Sequence, residues 1–220
     1  MQRIVLTHSE SDAPAGIERA AEILHGGGLV IYPTDTLYAI GCDPRSATAL
    51  ERLVDMKRRP ATLRLPMVAA DRDQVERVAR LRTYRERALA DRFWPGPLTL
   101  VLPRRIEAPL APWSWGDTLA VRVPGSPPAR ALARALGSPL PSTSANLSGQ
   151  AAPCDSAAIA SDLLDGVDLL IDAGALAPSP PSSIVQVTED SWRLLRAGAV
   201  SVEELIALLG PPEAVITGRD

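Results

Sequence analysis

Pro141-Ser-Thr-Ser-Ala-Asn-Leu-Ser-Gly149 follows an apolar run and places five small hydrogen-bonding side chains where a buried strand is predicted to end. A buried serine or asparagine costs free energy unless each polar group finds a partner. The partner is either a ligand or the backbone of the next segment, which Ser142–Asn146 would then cap. With a ligand as partner, this stretch forms one wall of a binding pocket.

Two other segments show the same polar ending after an apolar or amphipathic run. Ile31–Tyr38, which reads Ile-Tyr-Pro-Thr-Asp-Thr-Leu-Tyr, follows the apolar Gly28-Leu-Val30. Lys57-Arg-Arg-Pro60 follows an amphipathic stretch that ends at Met56. We therefore predict one polar pocket that is assembled from distant parts of the chain.

Composition limits the classes of protein to consider. The chain has 220 residues, 46% of them hydrophobic, which is enough for the core of one domain. A net charge of -3 and a pI near 5.5 do not provide the basic surface that tight binding of duplex nucleic acid requires. The sequence shows no signal peptide and no membrane-spanning run. We expect a cytoplasmic protein in which Cys42 and Cys154 are reduced.

Predicted strands and helices alternate irregularly, which favours an α/β fold with a twisted, mixed parallel and antiparallel sheet flanked by helices. We expect residues 1–210 to form a single domain and residues 211–220 to form a flexible tail. The predicted strands are Arg3–Thr7, Gly28–Tyr32, Tyr38–Gly41, Leu65–Ala69, Leu98–Pro103, Thr118–Val123, a strand leading into Ser142, Val167–Ile171, Ser183–Val187 and Trp192–Leu195. The predicted helices are Ile17–His25, a helix capped by Ser46, Arg72–Arg80, Thr83–Phe93, Pro128–Leu136, Ser156–Leu164 and Val202–Leu209.

The familiar nucleotide motifs are absent, since the chain contains neither G-x-x-x-x-G-K-[ST] nor G-x-G-x-x-G. Its two histidines, His8 and His25, are expected to be structural. The polar residues that remain are cations and hydroxyls, which suit an anionic ligand. Lys57 and Arg59 are two residues apart and would share one face of an extended segment. Arg122 interrupts an otherwise apolar strand.

Each of these features also has a purely structural interpretation. Lys57 and Arg59 would place positive charge at the C-terminus of a helix. Arg122 would form a salt bridge or lie on an exposed face of the sheet. Thr34 to Thr36 would form a turn in which Asp35 accepts hydrogen bonds from its own backbone.

Taken together and in order, six segments of the chain resemble the signature of the YrdC-like family, the threonylcarbamoyl-AMP synthases. The resemblance runs from about Gly27 to Val200 and is specific because all six segments occur in the family's order. The segments are Tyr32-Pro-Thr-Asp-Thr-Leu-Tyr-Ala-Ile-Gly41, Lys57-x-Arg59-Pro60, Trp94-Pro-Gly-Pro-Leu-Thr99, Val121-Arg-Val-Pro124, Ser142-Thr-Ser-Ala-Asn-Leu-Ser-Gly149 and Leu195-Arg-Ala-Gly198.

The resemblance implies a YrdC-like fold with a large, positively lined cavity. It also implies an enzyme that forms threonylcarbamoyl-AMP and pyrophosphate from L-threonine, bicarbonate and ATP. Mg²⁺ would accompany ATP, without metal ligands from the protein and without a tightly bound organic cofactor. The product would pass to the threonylcarbamoyl-transferase machinery that modifies tRNA.

Roles for individual residues follow from the same resemblance. Thr34, Arg122 and Ser142 would bind threonine. Lys57 and Arg59 would be the catalytic cations on the ATP phosphates. The other nucleotide-binding residues would be Thr118, Ser144, Asn146, Ser183 and Arg196.

The chain departs from the family at one place that matters for the amino acid. Many members carry a histidine shortly after K-x-R-P, but Ala61–Ala70 contains none, and Arg64 is the candidate substitute. Pro60–Pro66 is the candidate for a closing loop. The chain otherwise resembles the short, single-domain form. Two other functions stay open: a YrdC-like RNA-binding protein without synthase activity, and a nucleotide-dependent enzyme that acts on another amino acid.

Overall fold

A computed structural model describes residues 1–5, 13–57, 65–108, 110, 116–147, 149–188 and 190–215. Within these residues the chain forms one mixed sheet with helices on both faces. The strands are β1 (Gln2–Val5), β2 (Val30–Pro33), β3 (Tyr38–Gly41), β4 (Met67–Val68), β5 (Leu98–Pro103), β6 (Thr118–Arg122), β7 (Leu140–Ser144), β8 (Leu169–Asp172), β9 (Ser183–Val187), β10 (Trp192–Arg196) and β11 (Ala214–Val215). The helices are α1 (Ala13–His25), α2 (Ala47–Met56), α3 (Arg72–Val78), α4 (Tyr84–Phe93), α5 (Pro127–Leu136), α6 (Ser161–Gly166) and α7 (Val202–Leu209).

The strand order is β1-β8-β2-β3-β7-β4-β6-β5-β9-β10-β11. Strand β7 is central and pairs antiparallel with both β3 and β4, whereas β4 and β6 are parallel. The prediction of a mixed parallel and antiparallel sheet is therefore confirmed. The order also explains how the polar segments meet, because β2, β3, β7, β4 and β6 are consecutive neighbours although β7 is far in sequence from both β3 and β4.

Helix α2 shows how local sequence determines an element of this fold. Ser46 is its N-cap, and the serine hydroxyl accepts a hydrogen bond from the Ala49 amide at 3.2 Å. The buried residues recur at helical spacing, and Leu50 and Leu53 are fully buried against the sheet. Each of these leucines stabilises the fold by about 1.5–3 kcal/mol through burial. The helix ends at Met56, and its C-cap, Lys57, is the first residue of the Lys57-Arg-Arg-Pro60 segment.

The opposite face of the sheet is covered by α1 and α5. Helix α1 buries Ile17, Ala20, Ala21 and Leu24, the face that the spacing of apolar residues predicts. Helix α5 begins after Ser126, whose hydroxyl accepts from the Ala129 amide and donates to a backbone carbonyl at the end of β2. Helices α1 and α5 cover only part of this face, because Ala39 and Val68 of the same apolar cluster also line the cavity described below.

Three elements differ from the sequence prediction. Strand β4 has only two residues, fewer than the predicted Leu65–Ala69. The predicted helix Ser156–Leu164 is divided into a 3₁₀ turn at Ser156–Ala158 and helix α6, because Ile159 is extended and buried in the core. Within the expected tail at 211–220, Ala214–Val215 pairs with β10 as strand β11. Residues 216–220 lie outside the described part of the chain.

Candidate functional site

A cavity of about 430 Å³ lies over the central strands, where the polar segments end. Its lining includes two arginines, and the described lining residues contain no aspartate or glutamate. The two guanidinium groups provide charged donors of the kind that bind carboxylates and phosphates. Six of the residues predicted from the sequence line it: Thr34, Arg122, Ser142, Ser144, Asn146 and Arg196.

Arg122 dominates one end of the cavity. Its side chain is only 8% exposed, and its Nη2 lies 3.4 Å from Asp35 Oδ1 and 3.4 Å from Thr36 Oγ1. Neither Arg122 Nη1 nor Asp35 Oδ1 has a hydrogen-bond partner among the described residues. Burial lowers the pKa of the guanidinium, and the charge of Asp35 opposes that shift. A buried guanidinium with an unused donor can receive a carboxylate.

The turn beside Arg122 is held by Thr34. Its hydroxyl accepts from the Thr36 amide at 3.2 Å and from the Leu37 amide at 3.1 Å, and it donates to the Leu37 carbonyl at 2.7 Å. The sequence interpretation in which Asp35 bonds its own turn is therefore wrong. Because a threonine hydroxyl closes the turn, the Asp35 carboxylate remains next to the guanidinium.

Tyr32 supports the same end from beneath, although it was not predicted as a site residue from the sequence. The side chain is fully buried, and its hydroxyl donates to Ser142 Oγ at 2.7 Å. Burial raises the pKa of Tyr32 far above its ordinary value, although the bond to Ser142 and the charge of Arg122 oppose the shift. The phenol therefore stays protonated and orients Ser142. A signal was present in the sequence, because a tyrosine in a buried strand needs a partner for its hydroxyl.

At the other end of the cavity, a network holds the turn from Ser144 to Asn146. Lys57 is fully buried, and its ammonium donates to the Ser144 carbonyl at 2.6 Å, to Asn146 Oδ1 at 3.0 Å and to the Asn146 carbonyl. The Ser144 hydroxyl also donates to Asn146 Oδ1, and Asn146 Nδ2 donates to the Gln150 carbonyl at 2.5 Å. The paired K-x-R and S-x-N segments thus meet at Lys57.

Arg196 extends this end of the cavity toward Ser182. Its Nη2 donates to the Ser182 carbonyl at 2.8 Å and to Ser182 Oγ at 2.9 Å, and Thr99 Oγ1 lies 2.8 Å from the same hydroxyl. Gly198 allows this arrangement, because a Cβ atom there would collide with the backbone of Pro181 and Ser182. Ser182 is thus a cavity residue that the sequence analysis did not select.

Ser183 was predicted from the sequence to bind the nucleotide, but its environment differs from that of Ser182. It is fully buried, and its hydroxyl donates to the Val200 carbonyl at 2.6 Å and accepts from the Val200 amide at 3.1 Å. Adjacent side chains of an extended segment point in opposite directions, so Ser182 faces the cavity while Ser183 fastens the loop before α7. A shift of one residue separates the two roles.

The structure places the other predicted residues as follows. Thr118 begins β6 and shares a strand face with Arg122 four residues later, but it is not among the described residues that line the cavity. Arg59, Arg64 and most of the predicted closing loop Pro60–Pro66 lie outside the described residues. Pro66, at the end of that loop, lines the cavity.

Two kinds of feature are absent from the described residues. In these parts of the chain, no group of histidine, cysteine, aspartate and glutamate side chains is arranged to hold a metal ion. None of the helices in the same residues is long and apolar enough to cross a membrane.

Comparison with known proteins identifies the family. The profile of the Sua5, YciO and YrdC proteins, described as "Telomere recombination", matches residues 22–198. The chain belongs to the Sua5/YciO/YrdC family. It is 33% identical over 196 residues to the threonylcarbamoyl-AMP synthase of Bacillus subtilis, a match that covers 89% of this chain and 57% of that protein. It is 40% identical over 162 residues to the enzyme of that name from Idiomarina loihiensis, covering 72% of this chain and 86% of that protein.

Solved structures of family members have the same fold. Sua5 of Pyrococcus abyssi in complex with L-threonine superimposes with a TM-score of 0.86 at 32% identity, covering 97% of this chain and 62% of that one. Escherichia coli YciO superimposes with a TM-score of 0.79 at 28% identity, covering 93% and 98% of the two chains. The chain therefore spans about three fifths of the longer members and nearly all of the shorter ones.

Proposed function

We propose that this protein is a threonylcarbamoyl-AMP synthase, which converts L-threonine, bicarbonate and ATP into threonylcarbamoyl-AMP and pyrophosphate. The observation that carries the proposal is the cavity, which has an unused guanidinium donor at one end and the Ser144–Asn146 network at the other. Relatives that bear this enzyme name match most of the chain and support the assignment.

Threonine is proposed to bind at Arg122. The guanidinium would donate to the carboxylate through Nη1, the nitrogen that has no hydrogen bond among the described residues. Ser142, oriented by Tyr32, and Thr34 with its neighbour Thr36 would complete the polar surface around the amino acid. The structure of Pyrococcus abyssi Sua5 with bound L-threonine supports an amino-acid site in this fold.

ATP is proposed to occupy the other end, against Ser144, Asn146 and Arg196. Arg59 is proposed to reach its phosphates from the segment that follows α2, and Lys57 acts at the same end. Thr118 and Ser183 would support this region from β6 and β9 without lining the cavity. Mg²⁺ is proposed to arrive as part of the MgATP substrate, held by the phosphates.

The proposed reaction needs no nucleophile from the protein. The amine of threonine attacks carbon dioxide derived from bicarbonate and loses a proton, which gives a carbamate. A carbamate oxygen then attacks the α-phosphorus of ATP, a P–O bond forms, and the bond to pyrophosphate breaks. The protein accelerates this sequence by holding the two substrates in line and by placing cations where negative charge develops.

The proposal extends to the cellular role that the family resemblance implies. The product, a mixed anhydride of a carbamate and AMP, requires an acceptor nucleophile in a second enzyme. We propose that this enzyme is the threonylcarbamoyl transferase that modifies tRNA, and that both act in the cytoplasm.

Release of pyrophosphate from ATP and bicarbonate, measured with and without threonine, tests the proposal. We expect release that requires both bicarbonate and threonine, together with an adenylate product that contains the threonyl group by mass spectrometry. Serine, valine and glycine serve as matched controls, because each lacks the threonine methyl group, the hydroxyl or both. Release that is independent of the amino acid would contradict the assignment, and a preference for one of the controls would assign the enzyme to another amino acid.

A further inference from the structure

The chain contains 23 lysine and arginine residues in total. Lys57 is the only lysine, and all the others are arginines. The chain therefore uses arginine at every cationic position except one. That position is also fully buried. Composition and burial together indicate that an ammonium group is specifically required there.

The geometry around Lys57 explains why a guanidinium would not serve. An ammonium is compact and carries three donors in a tetrahedral arrangement, whereas a guanidinium is a flat fork with five donors. Among the described residues, three oxygens accept hydrogen bonds from Lys57 Nζ: the carbonyls of Ser144 and Asn146, and Asn146 Oδ1. Several acceptors thus surround one fully buried group, an arrangement that suits the compact ammonium.

We propose that Lys57 is a positioning residue that holds the Ser144–Asn146 turn, and that it does not bind the ATP phosphates itself. Its backbone amide donates to the Leu53 carbonyl at 3.3 Å, so the residue is also fixed to the end of α2. Lys57 therefore ties the end of α2 to the end of β7. The inference rests on the proposed nucleotide site, and in it Lys57 keeps one side of that site in shape.

The number of phosphates on the nucleotide distinguishes the two roles. If Lys57 holds the turn, Lys57→Met weakens binding of ATP, ADP and AMP by the same factor, roughly 10- to 100-fold for the loss of charge-assisted hydrogen bonds. Amide hydrogen exchange in residues 140–150 also becomes faster. Lys57→Arg does not restore binding, because the fork does not fit the three oxygens. A loss that is much larger for ATP than for AMP, or rescue by arginine, would overturn the proposal.

A measurement on the unaltered protein does not depend on the variants folding. Because there is one lysine, an acylating reagent for amines can modify only Lys57 and the terminal amino group, and mass spectrometry separates the two sites. We expect the native protein without nucleotide to be acylated at the terminus and to remain unmodified at Lys57. Rapid modification of Lys57 that ATP suppresses would show a side chain that faces the nucleotide, and would contradict the proposed role.

These readouts are separate from the assay of the proposed function. Failure to release pyrophosphate in a threonine-dependent reaction would refute the synthase assignment, while the acylation result would still test the contact between Lys57 and the turn. Equal affinities of the unaltered protein and Lys57→Met for all three nucleotides, with unchanged amide exchange, would refute the positioning role alone.

Discussion

The two ends of the cavity are built differently. At the end proposed to bind the nucleotide (the nucleotide end), Lys57, Ser144 and Asn146 bond to one another through side chains and carbonyls. At the end proposed to bind threonine (the amino-acid end), Arg122 approaches Asp35 and Thr36 only at 3.4 Å, and one guanidinium nitrogen has no hydrogen bond among the described residues. Among the described residues, the first end is held by hydrogen bonds between its own side chains and carbonyls, whereas the second keeps a donor without a hydrogen bond.

This difference has a physical consequence for binding. A buried charge with incomplete hydrogen bonding costs free energy, so the amino-acid end is held in place by the surrounding sheet at the expense of stability. A carboxylate on Arg122 would recover that free energy as affinity. At the proposed nucleotide end the described side chains are hydrogen-bonded to one another, and we expect affinity there to depend on the shape of the turn.

The largest expected effect comes from removing the Arg122 guanidinium, whose hydrogen bonding is incomplete among the described residues. Arg122→Gln leaves Asp35 buried without its partner, and losing one member of a buried pair costs about 2–5 kcal/mol. We expect the KM for threonine to rise roughly 30-fold or more, because the carboxylate loses its cation. ATP binding, measured by calorimetry without threonine, should remain unchanged if the two ends are independent.

Arg122→Lys is the matched control for this experiment. It keeps the charge but not the planar fork, so we expect it to recover only part of the affinity for threonine. Full recovery would mean that the charge alone matters at this end. If Arg122→Gln weakened the binding of ATP and of threonine to the same extent, Arg122 would not act at the amino-acid end alone, and the proposed division of the cavity would be wrong.

An intermediate effect is expected at Arg196, which binds Ser182 at the nucleotide end. Arg196→Gln should weaken ATP binding about tenfold, equivalent to about 1.4 kcal/mol, since a charge-assisted contact is lost from an end that keeps its other bonds. The KM for threonine should change little. Arg193→Gln, on the same strand but paired with Glu213 at the surface, is the control and should leave both substrates unaffected. A threonine defect in Arg196→Gln would contradict the division of the cavity.

Sequence reasoning worked best where a pattern repeats. The helical spacing in α1 and α2 predicted their buried faces, and the mixed sheet was predicted from the irregular alternation of elements. It also selected Arg122, because a single cation in an apolar strand needs a specific partner. These features depend on neighbours in the chain, which the sequence displays directly.

What the sequence could not show depends on contacts between distant segments. Ser182 and Ser183 are identical neighbours, and only the pairing of β9 with the rest of the sheet determines which of them faces the cavity. Thr34 and Asp35 can each close a turn, and the nearby Arg122 accounts for the position of the carboxylate. The contact of Lys57 with Ser144 likewise links residues 87 positions apart.

The smallest expected effect concerns Tyr32, which supports the amino-acid end without being placed in contact with the ligand. Tyr32→Phe removes the hydrogen bond to Ser142 and should lower the free energy of unfolding by about 1 kcal/mol, the usual value for one such bond. The KM for threonine should rise only a few fold, because Arg122 remains. Urea denaturation and steady-state kinetics measure the two quantities. A threonine defect as large as that of Arg122→Gln would show that Ser142 is as important to this end as the charge.

The pH dependence of the same variant tests whether the phenol stays protonated. Burial raises the pKa of Tyr32 above its ordinary value of 10.0, so its contribution to stability is fully present below that pH and is lost as the pH rises above it, where the unfolded chain ionises first. The difference in stability between the unaltered protein and Tyr32→Phe should therefore be constant through the neutral range and should shrink above pH 10.0. A difference that stays constant above pH 10.0 as well would mean that the phenol ionises as readily in the folded protein as in the unfolded chain, and that the amino-acid end is more open to water than its buried contacts indicate.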